Sequence, residues 1–342
     1  MKSSTADRPA LATAQRLLGS ALGPFLGLIF VVLLFSTADY YHSRSEGTDT
    51  SFASVATAQK IMRDSSKVGV AALGMTIIII AGGIDLSAGA AMALCATVTA
   101  WFFREQFSLP VAISAGLLTG CGVGFLNGAL ISLLRVVPFI ITLGTMTIFL
   151  GTGLVLSGSS PIDAHDIAPD WLIDLQAPYP YPEWLLVSSG VWTMLILAAL
   201  VALLLKYTVF GRHAFALGSN ESTARLCGIN VTWLRITVYT ISGFFVGVAG
   251  LFQFTMLNGE GDPTAGTGVE LQVIAAVVIG GGSLSGGRGS VWGTLSGAMI
   301  MAAIPHGCVT LDIGSAWQKV IVGIIIVAAV TLDQIRQRRL TT

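Results

Sequence analysis

Hydrophobic residues in this chain fall into long runs separated by short polar punctuation. Ten runs can be marked: Leu17–Phe35, Val68–Ala81, Ala88–Phe103, Pro110–Leu134, Val136–Ser157, Trp184–Leu205, Ile236–Leu257, Leu271–Gly281, Val291–Leu311 and Trp317–Leu332. A helix that crosses a bilayer needs about 20 apolar residues. The second, third and eighth runs fall short of that. Two of these short runs end at glycine-rich turns, the pattern of broken or re-entrant helices. The fold expected is all-α: a polytopic membrane protein of about ten transmembrane helices, some of them broken.

Composition agrees. Of 342 residues, 54% are hydrophobic and 11% charged, against about 25% charged in ordinary globular proteins. Eighteen basic and eighteen acidic side chains cannot cover the surface of a soluble domain this large, which excludes a water-soluble enzyme. The same hydrophobic content excludes a disordered chain. The 40 glycines follow no triplet period, so collagen is excluded too. A net charge of zero gives no reason to expect a nucleic-acid partner. The four cysteines form no CxxC or Cys/His cluster, so neither a metal site nor a disulfide framework is expected.

Basic residues indicate orientation. With a cytoplasmic N-terminus and ten alternating spans, 12 of the 18 basic residues fall inside, Lys206, Arg212, Arg225 and Arg235 among them. That is the positive-inside bias, and it leaves the C-terminus cytoplasmic as well. The expected organisation is a cytoplasmic tail over 1–16, one transmembrane domain over 17–335 and a second cytoplasmic tail over 336–342. Within the domain, 206–235 is a cytoplasmic loop and 158–183 an extracytoplasmic one. The latter carries Asp163, Asp166, Asp170, Asp174 and Glu183 and no Lys or Arg. The first run is longer than the apolar region of a signal peptide and reads as an uncleaved anchor. The stretch 36–67 reads either as a solvated connection or as a segment lying along the membrane interface.

One internal echo stands out. Residues 82–89 (Gly-Gly-Ile-Asp-Leu-Ser-Ala-Gly) line up with 280–287 (Gly-Gly-Gly-Ser-Leu-Ser-Gly-Gly) at an offset of 198. Each follows a β-branched run and leads into another apolar helix. Both turns would face the cytoplasm, as equivalent corners of a parallel repeat. Chance similarity between glycine-rich turns is the competing explanation.

Candidate chemistry is sparse. Asp85 is the only acidic residue within 65–104, and an ionisable side chain at membrane depth is costly unless it faces a cavity or a partner. Asp85 and Ser87 are expected to cap the following helix, and Asp85 also to line a polar pathway. Gly82 and Gly83 form the turn itself. Leu284-Ser285-Gly286-Gly287 spells a signature of ABC ATPases, but no GxxxxGK[ST] phosphate loop exists anywhere, so this chain does not hydrolyse ATP by itself. Gly286, Gly287 and Arg288 are instead a tight structural turn. In the loop 206–235, Gly218-Ser219-Asn220-Glu221 reads as a turn and helix start, with Ser219 or Asn220 as N-cap. The short helix over 223–227 ends at Gly228. Glu221 and Arg225, four apart, are placed to pair on one face. Inside the runs, Asn127, Thr142, Thr145, Gln253 and His306 are candidates for a polar route or for interhelical hydrogen bonds. No catalytic triad, HExxH site or carboxylate pair is present.

Several motifs occur in a recognisable order. They are Gly82-Gly83-Ile84-Asp85-Leu86-Ser87; Asn127-Gly128; the run 138–146 (Pro-Phe-Ile-Ile-Thr-Leu-Gly-Thr-Met); Gly218-Ser219-Asn220 with 224–229 (Ala-Arg-Leu-Cys-Gly-Ile); and 279–294, from Ile279 through Gly286-Gly287-Arg288 to Thr294. This resembles the permease subunit of ribose-type bacterial ABC sugar importers, over roughly 52–333. Thr223, Cys227 and Gly282 depart from the usual pattern, and 304–315 and 158–183 match poorly. These departures bear on the substrate, which outer loops and pore-lining positions would set.

The resemblance implies a multi-pass protein of the bacterial inner membrane that moves a monosaccharide inward by alternating access. It implies ABC ATPase subunits, a periplasmic or tethered sugar-binding protein and a second permease copy or paralogue as partners. No cofactor would be bound by this chain, ATP being used by the partner. The coupling segment would comprise Gly218, Asn220, Glu221, Arg225 and Gly228. Pathway candidates are Asp85, Asn127, Phe139, Thr142, Thr145 and Gln253, Phe139 because an aromatic face can stack on a sugar ring. A secondary transporter or channel without an ATPase would share the spans and the glycines, but would not account for the ordered motifs or the docking-like loop.

Overall fold

In a computed structural model, residues 8–46, 52–178 and 185–341 are described. Ten helices match the ten hydrophobic runs one for one. They are α1 (Arg8–Glu46), α2 (Val55–Ile80), α3 (Ala88–Arg104), α4 (Leu109–Leu134), α5 (Pro138–Ser157), α7 (Ser189–Tyr207), α10 (Val231–Met256), α11 (Val269–Ile279), α12 (Val291–Thr310) and α13 (Ser315–Thr341). Short helices α6 (Asp170–Ile173), α8 (Val209–Ser219) and α9 (Glu221–Leu226) lie between them. Among the described residues, five helices are long and apolar enough to cross a membrane by length and composition: those carrying 23–45, 109–134, 138–157, 189–207 and 231–256. Helices α1 and α13 extend into the segments 8–16 and 336–341, expected from the sequence as tails.

The core forms where α10 and α2 are surrounded by α3, α4, α11 and α12. Ile77, Ile78, Ile79 and Ile80 at the end of α2 are fully buried, as are Tyr239 and Phe252 of α10. Helices α4 and α10 approach backbone to backbone, because a Cβ on Gly243 would meet the Gly124 Cα at 3.0 Å. Small residues at a helix–helix contact permit this close packing where lipid supplies no hydrophobic driving force. A hydrogen bond between the hydroxyls of Thr76 and Thr294, 2.8 Å long and buried, joins α2 to α12.

Of the two short runs that end at glycine-rich turns, the broken-helix reading holds for the eighth, which becomes α11, and fails for the second, which belongs to α2. α3 has 17 residues and α11 only 11, so α11 is about 16 Å long at 1.5 Å per residue. The chain entering α11 first pairs at Glu260–Gly261 (β2) with Ile162–Asp163 (β1) in a short antiparallel ladder. It then runs along α3 until Gly266 packs against Gly89, and only there does the helix begin. Gly259, Gly261, Pro263 and Gly266 of this irregular segment are buried against protein, whereas Asn258, Thr264 and Thr267 are exposed.

The second run is a correction. α2 is 26 residues long because it starts at Val55, with Ser54 as N-cap accepting from the Thr57 amide at 3.1 Å. Residues 55–67 are therefore not a loop but helix continuous with 68–80. Hydropathy misses this first half because Arg63, Asp64, Ser65, Ser66 and Lys67 interrupt the apolar pattern. These residues find partners inside the bundle: Ser66 with Gln176, Asp64 with His306 and Lys67 with Gln253.

The internal echo also takes a corrected register. At the end of α2, the Gly82 amide bonds to Ile79 O and the Gly83 amide to Ile78 O, with Gly82 at φ +81°. At the end of α11, the Gly281 amide bonds to Val278 O and the Gly282 amide to Val277 O, with Gly281 at φ +91°. Both are left-handed C-caps that glycine adopts without steric cost. The equivalent residues are Gly82 and Gly281, one position away from the sequence alignment.

Candidate functional site

Three backbone segments meet at one end of the bundle. The Gly287 amide donates to Ile80 O at 2.9 Å, tying the turn after α11 to the end of α2. Gly218, near the end of α8, sits in the same junction. A Cβ built on it would collide with Ile80 O and would lie 2.6 Å from the Gly287 nitrogen. A Cβ on Gly286 would lie 2.6 Å from Gly218 O and 3.0 Å from the Gly82 Cα. Both glycine-rich turns thus touch the segment expected to couple, with no side chain between them.

The segment that leaves this junction is a capped helix. The Asn220 side chain accepts from the Thr223 amide at 2.9 Å, so Asn220, and not Ser219, is the N-cap of α9. The helix runs from Glu221 to Leu226, two residues ahead of the expected start. It ends where Gly228 takes φ +81° and the Ile229 amide reaches Ala224 O. Arg225 pairs with Glu221 at 2.7 Å as its spacing predicts. Arg235, from α10, adds a second pair to Glu221 at 2.8 Å, a partner the sequence did not indicate. Burial works against the ionised Glu221 carboxylate, but the bonds from Arg225 and Arg235 outweigh it and hold its pKa below the usual value. Ala224 faces inward, while Ser222, Thr223, Arg225, Leu226 and Cys227 face out, Leu226 being 89% exposed. An isolated apolar side chain held outward on a braced helix, beside a fixed guanidinium, is a surface suited to a protein partner.

The expected pathway residues fall in three separate places. Asp85 and Asn127 come together: the Asp85 carboxylate accepts from the Ser87 amide at 2.8 Å and its hydroxyl at 2.6 Å, and Asn127 donates to that hydroxyl at 2.8 Å. Ser87 is the N-cap of α3 but makes no side-chain capping bond, so Asp85 braces the turn and not the first turn of the helix. Tyr239 adds a bond to Ile84 O at 3.1 Å. This cluster pins the turn after α2 to α4 and α10. Thr142 and Thr145 are buried and bond within their own helix, to Pro138 O and Thr142 O, whereas Phe139 is half exposed at the start of α5.

Gln253 lies at the opposite end of the bundle, beside a cavity of about 290 Å³. Its side-chain oxygen accepts from Lys67 at 2.7 Å. Asp64 is held by His306 at 2.8 Å and by Arg63 at 3.0 Å. Of these charged residues only His306 stands out in the sequence; Arg63, Asp64 and Lys67 fall in the stretch 36–67, which reads as a solvated connection or an interfacial segment. The available signal was the absence of any glycine or proline between Ser54 and Gly69, which lets a helix run straight through.

Residues 57–330 match the family model described as the permease component of branched-chain amino acid transport systems. The ribose import permease protein RbsC of Escherichia coli K12 is 36% identical over 277 residues, covering 81% of this chain and 85% of that protein. RbsC of Bacillus subtilis is 36% identical over 313 residues, 92% of each. The fructose import permease protein FrcC of Rhizobium meliloti is 35% identical over 289 residues, 83% of this chain and 79% of that protein. No solved structure matches the chain.

Proposed function

We propose, for a chain that belongs to this family of ABC-importer permeases, that it carries a monosaccharide inward across the bacterial inner membrane. A ribose-like pentose or a related sugar is the solute, and ATP hydrolysis on separate subunits drives the cycle. The permease is a non-enzymatic transport component. The observation that carries the mechanism is the junction: Gly218 lies against both Gly82 and Gly286, and the outward-facing helix α9 begins three residues later.

An ATPase subunit grips α9 through Asn220, Glu221, Arg225 and Leu226. Motion of α9 passes through Gly218 into the ends of α2 and α11, because close-packed backbone has no slack to absorb it. Both helices then tilt, and the pathway changes the side on which it is open. The junction end of the bundle is cytoplasmic, with both termini, as the basic residues of 206–235 favour. The ladder and the acidic loop after α5 face outward, toward a sugar-binding protein. A second permease copy or paralogue completes the pathway. Asp85 and Asn127 act on it by fixing the turn, Phe139 by presenting an aromatic face, and Thr142 and Thr145 by shaping α5. Residues Gly83, Gly228 and Arg288 serve the turns that hold α9 and the junction.

The solute is tested by measuring binding of a sugar panel to the solute-binding protein encoded beside this gene, then uptake of the best ligand into cells carrying or lacking this chain. Uptake of ribose or a related monosaccharide that needs the chain is the expected result. Uptake of branched-chain amino acids in place of sugars would contradict it.

A further inference from the structure

The cavity at the end of the bundle opposite the junction is charged in a way that the transport mechanism above does not use. Arg63, Asp64 and Lys67 from α2, Gln253 from α10, Gln272 from α11 and His306 from α12 line it. Met256 and Met301 supply apolar wall. Two cationic side chains, Arg63 and Lys67, therefore face one carboxylate, that of Asp64, which pairs with His306 and Arg63 and also lies near enough to Lys67 for their charges to interact. The Lys67 ammonium has a neutral amide oxygen, that of Gln253, as its hydrogen-bond partner. A buried charge is normally balanced by an opposite one. The volume, about 290 Å³, is at the small end of ligand sites, which run from about 300 to 1,000 Å³. The Arg63 and His306 side chains are 23% and 25% exposed, so the cavity communicates with its surroundings.

We infer that this cavity binds a small organic anion, a carboxylate or phosphate on a molecule of monosaccharide size. Lys67 and Arg63 hold the anionic group, and Gln253 and Gln272 supply amide groups for hydroxyls. Asp64 sets the orientation of Arg63 and His306 and opposes the anion by its own charge. Buried electrostatics of this sign favour an anion over a neutral molecule of the same shape. The site is formed within one chain, and it stands whether or not the solute carried inward is a neutral sugar.

The test uses the full chain in lipid nanodiscs and isothermal titration with two matched pairs: gluconate against glucitol, and glucose 6-phosphate against glucose. At least one anion should bind about tenfold or more tightly than its neutral counterpart, and which one does so separates carboxylate from phosphate. Lys67→Met and Arg63→Gln should each weaken that binding about tenfold or more, while Lys67→Arg retains it. Asp64→Asn should strengthen it, an outcome that a purely structural role for Asp64 would not give. Thermal unfolding of each unliganded variant checks that it is folded, and the comparison of Lys67→Arg with wild type remains informative if Lys67→Met is not. Equal affinity within both pairs, or anion binding unaffected by Lys67→Met and Arg63→Gln, would overturn the assignment.

Discussion

At one end of the bundle, Gly82, Gly218, Gly286 and Gly287 bring three segments together backbone against backbone. At the other, Arg63, Asp64, Lys67, Gln253 and His306 hold α2, α10 and α12 around an open volume. The same helix, α2, runs through both: its last four residues are isoleucines with no exposure, and its first half carries most of the cavity's charge. The first end is close-packed: a Cβ on Gly218, Gly286 or Gly287 would collide with a neighbouring segment. The second is open: its polar groups line a cavity of about 290 Å³. In the proposed transport cycle, this helix would carry movement at its close-packed end to the polar end.

The junction is the place to break this contrast most severely. Gly218→Ala places a methyl group against Ile80 O and Gly287, and overpacking of this kind costs about 1–3 kcal/mol. The expected outcome is a lower melting temperature and lost uptake together, with the anion affinity of the distal cavity retained in whatever protein remains folded. Next in size is Arg225→Glu. It reverses an exposed charge whose pair with Glu221 is worth only about 0.3–0.5 kcal/mol to the fold. Membrane insertion and melting temperature should therefore hold while uptake falls to background, as measured with labelled sugar in cells. Undiminished uptake would remove α9 from the coupling path.

A reporter fused at residue 170, in the acidic segment beside the ladder, should read extracytoplasmic. A cytoplasmic reading would invert the two ends. The smallest effect concerns pH. Because the folded Glu221 pKa is lowered, its contribution is fully present above the ordinary glutamate value of about 4.3 and is lost as pH falls through the folded value. Hydrogen-exchange protection factors over α9 should be flat from pH 7 to pH 5 and decline below about pH 4.3, and Glu221→Gln should remove that decline.

The sequence is a good guide where one physical force dominates. Every hydrophobic run forms a helix, because a helix satisfies its own backbone polar groups where water is excluded. The Asn220 cap, the Glu221–Arg225 pair and the stop at Gly228 were legible because capping and i,i+4 pairing are local. The two glycine-rich turns are visible as motifs, but their shared contact with Gly218 joins residues 136 and 68 positions apart, and no spacing rule encodes it. The start of α2 was missed because Arg63, Asp64 and Lys67 look like loop residues until Gln253 and His306 are placed beside them. The equivalence of the two turns was one residue off because matching letters aligned Gly82 with Gly280, whereas the positive φ falls at Gly82 and Gly281.

The central claim is that motion enters this chain through α9 and the glycine junction from a separate ATPase. Proteoliposomes holding the permease, its ATPase and the solute-binding protein test it directly. ATP should drive uptake in the complete wild-type system. The permease alone should show neither ATP hydrolysis nor uptake, and Arg225→Glu should abolish ATP-driven uptake while leaving the lone permease folded. ATP hydrolysis by the purified permease, or uptake that persists without the ATPase or with Arg225→Glu, would contradict the account.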